Sequence, residues 1–401
     1  MEAALALLRS LVGLLETETV RLEEALGRTL AGDIVSEVQV PSFDKSAMDG
    51  FALRGAETFG ASPTDPIAFS VVGEVLPGDP GEPEVGPGEA VRIMTGAAIP
   101  RGADAVLMAE HATDEGETVL AHAAVVPGRN VAPAGEDIAI GDTVLEAGRV
   151  LRPQDLGVLA SIRRVEVAVI RRPVVGILTT GNEVVEPGSA EAGEPGKVVN
   201  SCRYLLEGMV AQAGGEANWL GTLPDDREAI RAALGAFHGD LLLTTGATST
   251  GKEDYLPGLL AELGELLVHG VNIRPASPLA FGRLGDALAV LLPGNPVAAM
   301  VGFDTFVRPA LQLMLGQPEG RRNRRVRGRL NRKVASALNR TDFVRVRVRE
   351  KETETEGVAV DPIRTGGSGI LTSVTGADGF IIVHRDDEGL EAGAEVEVFL
   401  Y

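Results

Sequence analysis

The chain has 401 residues, 44% hydrophobic and 23% charged. That is enough for more than one buried core, and it excludes a disordered, collagen-like or membrane-bundle protein. A formal charge of −20 and 4% aromatics argue against a broad nucleic-acid face or base-stacking platforms, and the single cysteine, Cys202, forbids an intrachain disulfide, excludes thiolate metal clusters and points to a reducing compartment.

The charge is uneven. Between Arg321 and Arg349 twelve Lys/Arg stand against one acid, Asp342, either as a solvated basic linker and strand or as a local anion-binding face. Met1-Glu2 opens without a basic leader, and the apolar run 287–303 is broken by Pro293-Gly294-Asn295-Pro296. The expectation is a soluble, cytoplasmic chain with no membrane span.

Residues 3–15 and 22–30 read as helices of an N-terminal packing lobe. Short β-type runs divided by Pro and Gly follow, at 67–75, 90–94, 105–108 and 118–126, so residues 51–131 form a β-rich module. A short helical pattern occupies 153–161. Beyond it strands and helices alternate: strand 174–178, helix 201–213 with Asn200 or Ser201 as cap, extended 219–223, helix 227–237. Strand 240–245, helix 255–263, strand 288–292 and helix 297–315 complete the series. This alternation predicts a mostly parallel sheet with helices on both faces. In Phe343-Val344-Arg345-Val346-Arg347-Val348-Arg349 the valines share one face and the arginines the other. With 379–384 and 394–401 this strand forms a small sheet or barrel.

Three glycine-containing loops follow three predicted strands: Thr179-Thr180-Gly181-Asn182-Glu183, residues 244–251, and Pro293-Gly294-Asn295-Pro296. In an open parallel sheet such loops share the carboxyl edge where ligands bind, and their amides and helix N-termini suit a phosphate or another oxyanion. Acids beside them would repel such a ligand unless a cation intervened. Mg²⁺ suits that setting, with Glu183, Asp254 and Asp225 as candidate ligands; Asp225 could instead cap the helix after it. The five histidines, His111, His122, His238, His269 and His384, lack ligand spacing and read as structural or surface residues. Ser201 and Cys202 open a helix without an adjacent base, so capping is favoured over a nucleophile.

Ser46-Ala47-Met48-Asp49-Gly50-Phe51-Ala52 resembles the signature of the molybdopterin molybdenumtransferases, the MoeA and gephyrin E-domain family. Collinear matches are 20–30 (VRLEEALGRTL), Ile93-Met94-Thr95-Gly96 with 102–106, Gly135-Glu136-Asp137-Ile138, Thr180-Gly181-Asn182-Glu183, Asp254-Tyr255 and Leu292-Pro293-Gly294-Asn295-Pro296-Val297. Arg340-Thr341-Asp342-Phe343 and Gly367-Ser368-Gly369 follow, so the resemblance covers nearly the whole chain.

The resemblance implies a multi-domain α/β plus β protein. It has a discontinuous N-terminal helical/mixed lobe (1–43 with 135–165), an inserted β-rich domain (44–134), a central three-layer α/β molybdopterin-binding domain (166–320) and a C-terminal small β-barrel (321–401). It implies an elongated homodimer whose cleft is closed by the partner subunit, and Mg²⁺-dependent insertion of molybdate into adenylyl-molybdopterin with release of AMP. Carried over position by position, the functional acids fall on Asp49, Asp137, Glu183, Asp225 and Asp254, with Glu183, Asp254 and Asp49 catalytic. Thr95, Asp137, Gly181, Ser249, Arg340 and Ser368 fall on substrate-binding positions, as do Pro275, Pro278, Pro293, Gly294, Asn295 and Pro296. Transient contact with the adenylyltransferase that makes the substrate and with recipient apo-molybdoenzymes is also implied.

Three positions depart from the family pattern: Ala247 in the 245–251 loop, Ser277 where a lysine is usual, and Ala132 where an arginine is common. Ala247 is expected at negative φ, since a Cβ at positive φ is costly, and Thr248 or Ser249 is expected to offer a hydroxyl. Ser277 predicts a less positive cleft that depends more on Arg274. The alternatives are a molybdopterin-binding paralogue without turnover, an adenylyltransferase-like enzyme, and a receptor scaffold, the last normally carrying an extra domain.

Overall fold

The computed structural model describes residues 1–80, 82–246, 255–318, 325–350, 358–363 and 370–401. The first helix, Glu2–Ser10, buries Leu8 against the central domain rather than against the lobe that follows it. Residues 22–30 are not the expected helix. They form a 3₁₀ turn, Leu22–Glu24, and a short strand, Thr29–Leu30. Gly27 at φ 74° breaks any helix there. Strand Glu166–Ile170 pairs with both Thr17–Arg21 and Thr29–Leu30, so residues before and after the insertion share one sheet. Helix Pro153–Ser161 closes that lobe over Val20, Leu30, Leu151 and Val169.

The inserted module is a six-stranded sheet in the order Ala105–Met108, Gly50–Leu53, Glu89–Ile93, Ile67–Val75, Thr118–Ala121, Ala112–Asp114. The last predicted run stops at Ala121, earlier than its pattern suggested. Gly50 is required at its position, because a Cβ there would lie 1.9 Å from the Leu107 carbonyl oxygen.

The central domain is a three-layer α/β unit. Its sheet runs Glu216–Leu223, Val174–Thr180, Leu241–Thr245, Ala287–Leu292, Ala280–Leu284, Glu265–His269. The first four strands are parallel. The last two are antiparallel additions that the β–α alternation does not predict. Along Leu241–Thr245 successive side chains point to opposite faces. Leu241 and Leu243 meet helix Ser201–Gln212 and the 296–314 helical run, while Leu242 meets helices Arg227–Gly235 and Tyr255–Leu263. The 296–314 run contains a π-helical turn, Phe303–Val307, between its two α segments.

The C-terminal strands Thr341–Glu350, Val358–Pro362, Arg325–Leu330, Glu395–Leu400 and Gly379–Val383 close into a five-stranded barrel. Val344, Val346, Val360, Ile381 and Val398 fill it. Strand Ile273–Arg274 of the central domain adds to the barrel beside Thr341 and Asp342. That pairing joins the two units at the seam where the candidate site opens.

Candidate functional site

Two of the three glycine-containing loops, and the start of the third, meet at the carboxyl edge of the parallel strands. The contact is close. Gly246 (φ 96°) follows Thr245, and a Cβ on it would lie 2.3 Å from the Thr180 carbonyl oxygen. Gly294 stands against the other side of Gly246. The rest of the middle loop, including Ala247, Thr248, Ser249 and Asp254, lies outside the described residues, as does Ser368. The expected negative φ at Ala247 falls among those residues.

A cavity of about 590 Å³ is lined by Thr180, Glu183, Asn200, Gly246, Gly294 and Pro296, among others. A second, of about 350 Å³, adjoins it through Pro278, Pro293 and Asn295. It lies between the Arg274-Pro275-Ala276-Ser277-Pro278 loop and barrel residues Asp342 and Arg345. Both fall within the size range of small-molecule sites.

Glu183 lines the larger cavity with an exposed carboxylate. Asp225 sits across from it on the next loop. Its Oδ2 accepts a hydrogen bond from the Asn182 N–H at 3.2 Å, and its own N–H donates to Asn182 Oδ1 at 3.2 Å. The helix Arg227–Gly235 is capped by Asp226, whose carboxylate accepts from the Ala229 N–H at 2.8 Å. The choice left open in the sequence is thereby decided: Asp226 caps, and Asp225 is tied to the loop that carries Glu183. Among the described residues no group of three or more His, Cys, Asp or Glu is placed to hold a metal.

Asp49 and Thr95 are brought together beside the ends of strands Gly50–Leu53 and Glu89–Ile93 of the inserted sheet, and neither lines a cavity described above. Asp49 Oδ1 accepts from the Thr95 N–H at 2.7 Å and from the Thr95 hydroxyl at 2.8 Å. The Thr95 N–H, then its hydroxyl, holds the Asp49 carboxyl below its ordinary range. Asp137 is exposed and lines neither cavity.

Two basic positions have partners or surroundings that the sequence does not reveal. Arg340, expected to bind substrate, donates to both carboxylate oxygens of Asp342, at 2.7 and 3.1 Å, and lines neither cavity. Arg345, placed by strand alternation on an outer arginine face, is 4% exposed and lines the smaller cavity. Its Nε is buried without a hydrogen-bond partner. Burial lowers the pKa of the guanidinium. The cause of the difference is tertiary: the central domain covers the start of this strand's outer face, at Phe343 and Arg345, and leaves Arg347 and Arg349 exposed. Alternation identifies two faces but does not say which part of the outer one is covered. A buried cationic residue on the wall of a cavity lined by prolines and Ser277 suits an oxyanion.

The Arg274 loop holds a further surprise. Ala276 adopts φ 88° and is 3% exposed, a conformation that is rare and strained for a residue with a Cβ. Arg274 lies 3.8 Å from Asp342, so part of its charge is already matched within the chain. Cys202, 5% exposed, donates its thiol to the Gly294 carbonyl at 3.3 Å. Burial pushes that thiol up to about 11, which leaves it protonated and holding the loop rather than acting as a nucleophile.

Comparison with known proteins agrees with this architecture. Residues 1–162 match the family described as MoeA N-terminal region (domain I and II). Residues 176–313 match the Probable molybdopterin binding domain, and 327–401 the MoeA C-terminal region (domain IV). The molybdopterin molybdenumtransferase of Bacillus subtilis is 36% identical, over 96% of this chain and 90% of its own. That of Haemophilus influenzae is 33% identical, over 96% and 93%. The crystal structure of the molybdopterin biosynthesis moeA protein from Pyrococcus horikoshii superposes with a TM-score of 0.85 at 35% identity, covering 100% of this chain and 99% of that one. A four-part chain of this kind, with its cleft between a three-layer α/β domain and a small barrel, has the MoeA architecture. The chain belongs to the molybdopterin molybdenumtransferase family.

Proposed function

We propose that this chain is a transferase of molybdenum cofactor biosynthesis that inserts molybdate into adenylyl-molybdopterin and releases AMP. The observation that carries this reading is the pair of adjoining cavities. One is floored by glycine loops at the ends of parallel strands, and the other has the buried Arg345 in its wall. The loop amides around Gly246 and Gly294 bind the phosphate-bearing part of the substrate. Arg345, with Ser277 and Asn295 beside it, binds the tetrahedral molybdate dianion and sets it against the neighbouring cavity.

One carboxylate, Glu183, lines the larger cavity, and an oxygen donor of that kind suits a hard divalent cation. Glu183, Asp225 and Asp254 would hold Mg²⁺, which when bound would neutralise phosphate charge and polarise the phosphate linkage to be cleaved. Cys202 keeps the Pro293–Pro296 loop in register, and the Asn182–Asp225 pair sets the position of Glu183.

Asp49, Thr95 and Asp137 lie on exposed surface of the inserted module and its connection, and line neither of the two cavities described above. They fit a homodimer in which each inserted module completes the partner's cleft. A cytoplasmic setting and transient hand-over contacts with the adenylyltransferase and with apo-molybdoenzymes complete the proposal. No helix of the described residues is long and apolar enough to cross a membrane.

Incubation with adenylyl-molybdopterin, Mg²⁺ and molybdate tests the reading directly. Release of AMP and gain of molybdenum on molybdopterin are expected. Binding without AMP release would favour a paralogue that does not turn over.

A further inference from the structure

The segment between Asn182 and Asn200 forms a strap whose two ends border the larger cavity, where Val184, Val198 and Val199 line it beside Glu183. Its two ends are joined by a short parallel pairing, Val184–Val185 with Val198–Val199. Within it the Val198 N–H donates to the Glu183 carbonyl and the Asn200 N–H to the Val185 carbonyl, each at 2.8 Å. Two strands of two residues each are too little to hold such a segment in water. Something else must fix it.

Its start is tied by the Asn182–Asp225 pair and by Lys197 Nζ, which donates to the Asn182 carbonyl at 3.2 Å, and Glu186 ties the segment to helix Ser201–Gln212. The Glu186 carboxylate accepts from Arg203 Nη1 at 2.9 Å, from the Asn200 side-chain amide at 3.4 Å and from the Thr222 hydroxyl at 3.5 Å. Asn200 is 2% exposed and also donates toward the Thr179 and Thr222 hydroxyls, at 3.3 and 3.2 Å, so the network continues to the cleft floor. Arg203 is itself constrained. Its guanidinium carbon lies 4.6 Å from the Trp219 ring centroid and 5.1 Å from that of Tyr204. Its Nε donates to Glu207 at 3.1 Å. A planar guanidinium stacked on aromatic rings and hydrogen-bonded to two carboxylates loses little further freedom on binding, which a lysine could not match.

We infer that Arg203 and Glu186 form a latch that holds the 182–200 strap against the sheet edge and so positions Glu183 over the cleft. Arg203 is a positioning residue in this arrangement, since it lines neither cavity. The catalytic part of the inference rests on the transferase reading above, but the latch itself does not. Trp219 is the chain's single tryptophan, so its emission reports directly on whether the guanidinium is in place.

The test compares Arg203→Ala, Glu186→Gln and Arg203→Lys in the full chain. Without ligand, hydrogen exchange at the Val198 and Asn200 amides should quicken about tenfold or more in Arg203→Ala and Glu186→Gln, as local opening becomes easier. Trp219 emission should shift in Arg203→Ala. In the AMP-release assay kcat should fall about ten- to a hundredfold in both variants, with KM for adenylyl-molybdopterin moving less, because misplacement of a catalytic group is felt mainly after binding. Arg203→Lys should recover part of kcat. Unchanged exchange and emission would overturn the latch. A loosened strap with unchanged kcat would overturn its positioning role. Should the wild-type chain release no AMP, the transferase reading fails, and the exchange and emission measurements still decide the latch.

Discussion

Asp225 and Asn182 exchange hydrogen bonds between two loops, Asn182 N–H to Asp225 Oδ2 and Asp225 N–H to Asn182 Oδ1, each at 3.2 Å. The next residue, Asp226, caps a helix instead. Adjacent aspartates thus have separable roles. Asp226→Ala should lower stability by about 1 kcal/mol, the usual cost of a lost N-cap, with AMP release nearly normal. Asp225→Ala should do the reverse, with a small change in chemical denaturation and a large fall in kcat. Equal effects of the two substitutions on turnover would remove Asp225 from the site.

Glu183 and Arg345 are the two charges on which the proposed chemistry leans most. Glu183→Gln should slow AMP release by several orders of magnitude without lowering the melting temperature, because its side chain is exposed. Asp254→Asn is expected to behave alike. Arg345→Gln should chiefly raise the molybdate concentration needed for half-maximal insertion. Molybdate titration of single-turnover rates measures this, and an unchanged requirement would place the oxyanion elsewhere.

Gly246→Ala should be severe. An added Cβ would meet the Thr180 carbonyl at 2.3 Å, on a residue with φ 96°. Strain of this kind costs about 1–3 kcal/mol where it is retained, and here it is relieved only by opening the loop junction. A lower denaturation midpoint together with weaker ligand binding is expected. A fully stable and active variant would show that the three loops need not touch.

Arg171 joins the N-terminal lobe to the central domain. It donates to Glu16 at 2.6 Å and to both carboxylate oxygens of Asp240 at 2.7 Å, and Asp240 also accepts from the Val174 N–H at 2.7 Å. Burial alone would raise the Asp240 carboxyl, but the guanidinium and the amide outweigh it and hold it below the ordinary range. A carboxyl lowered in the folded state contributes stability that is full above its unfolded value, near 4, and is lost as pH falls through the folded one. Arg171→Ala should therefore cost about 2 kcal/mol at neutral pH and much less once Asp240 is protonated. Urea midpoints measured from neutral to acid pH check the sign.

The exposed Asp49–Thr95 pair makes a prediction about assembly. Sedimentation should give a mass near twice 41.8 kDa. Asp49→Ala should impair AMP release without dissociating the dimer, since one small carboxylate contributes little interface area. A monomer with full activity would rule out a shared cleft.

The amino-acid sequence by itself specified the central domain well. Helices Ser201–Gln212, Arg227–Gly235 and Tyr255–Leu263 carry their caps or periodic faces in the chain, and strands such as Leu241–Thr245 are short apolar runs. Those signals are local, so neighbouring residues suffice to express them. The glycine loops that follow predicted strands likewise put Glu183, Gly246 and Pro293–Pro296 at one sheet edge. Three matters were decided only in the tertiary structure. Residues 22–30 follow a helical spacing, yet pairing with Glu166–Ile170 draws Thr29–Leu30 into a strand. Arg345 alternates like its neighbours Arg347 and Arg349, yet docking of the barrel on the central domain buries it alone among the three. Asp225 and Asp226 are chemically identical, and only the approach of Asn182 separates them. In each case the deciding partner lies far away in sequence. Local periodicity states which residues share a face, whereas burial and hydrogen-bond partners depend on what that face meets.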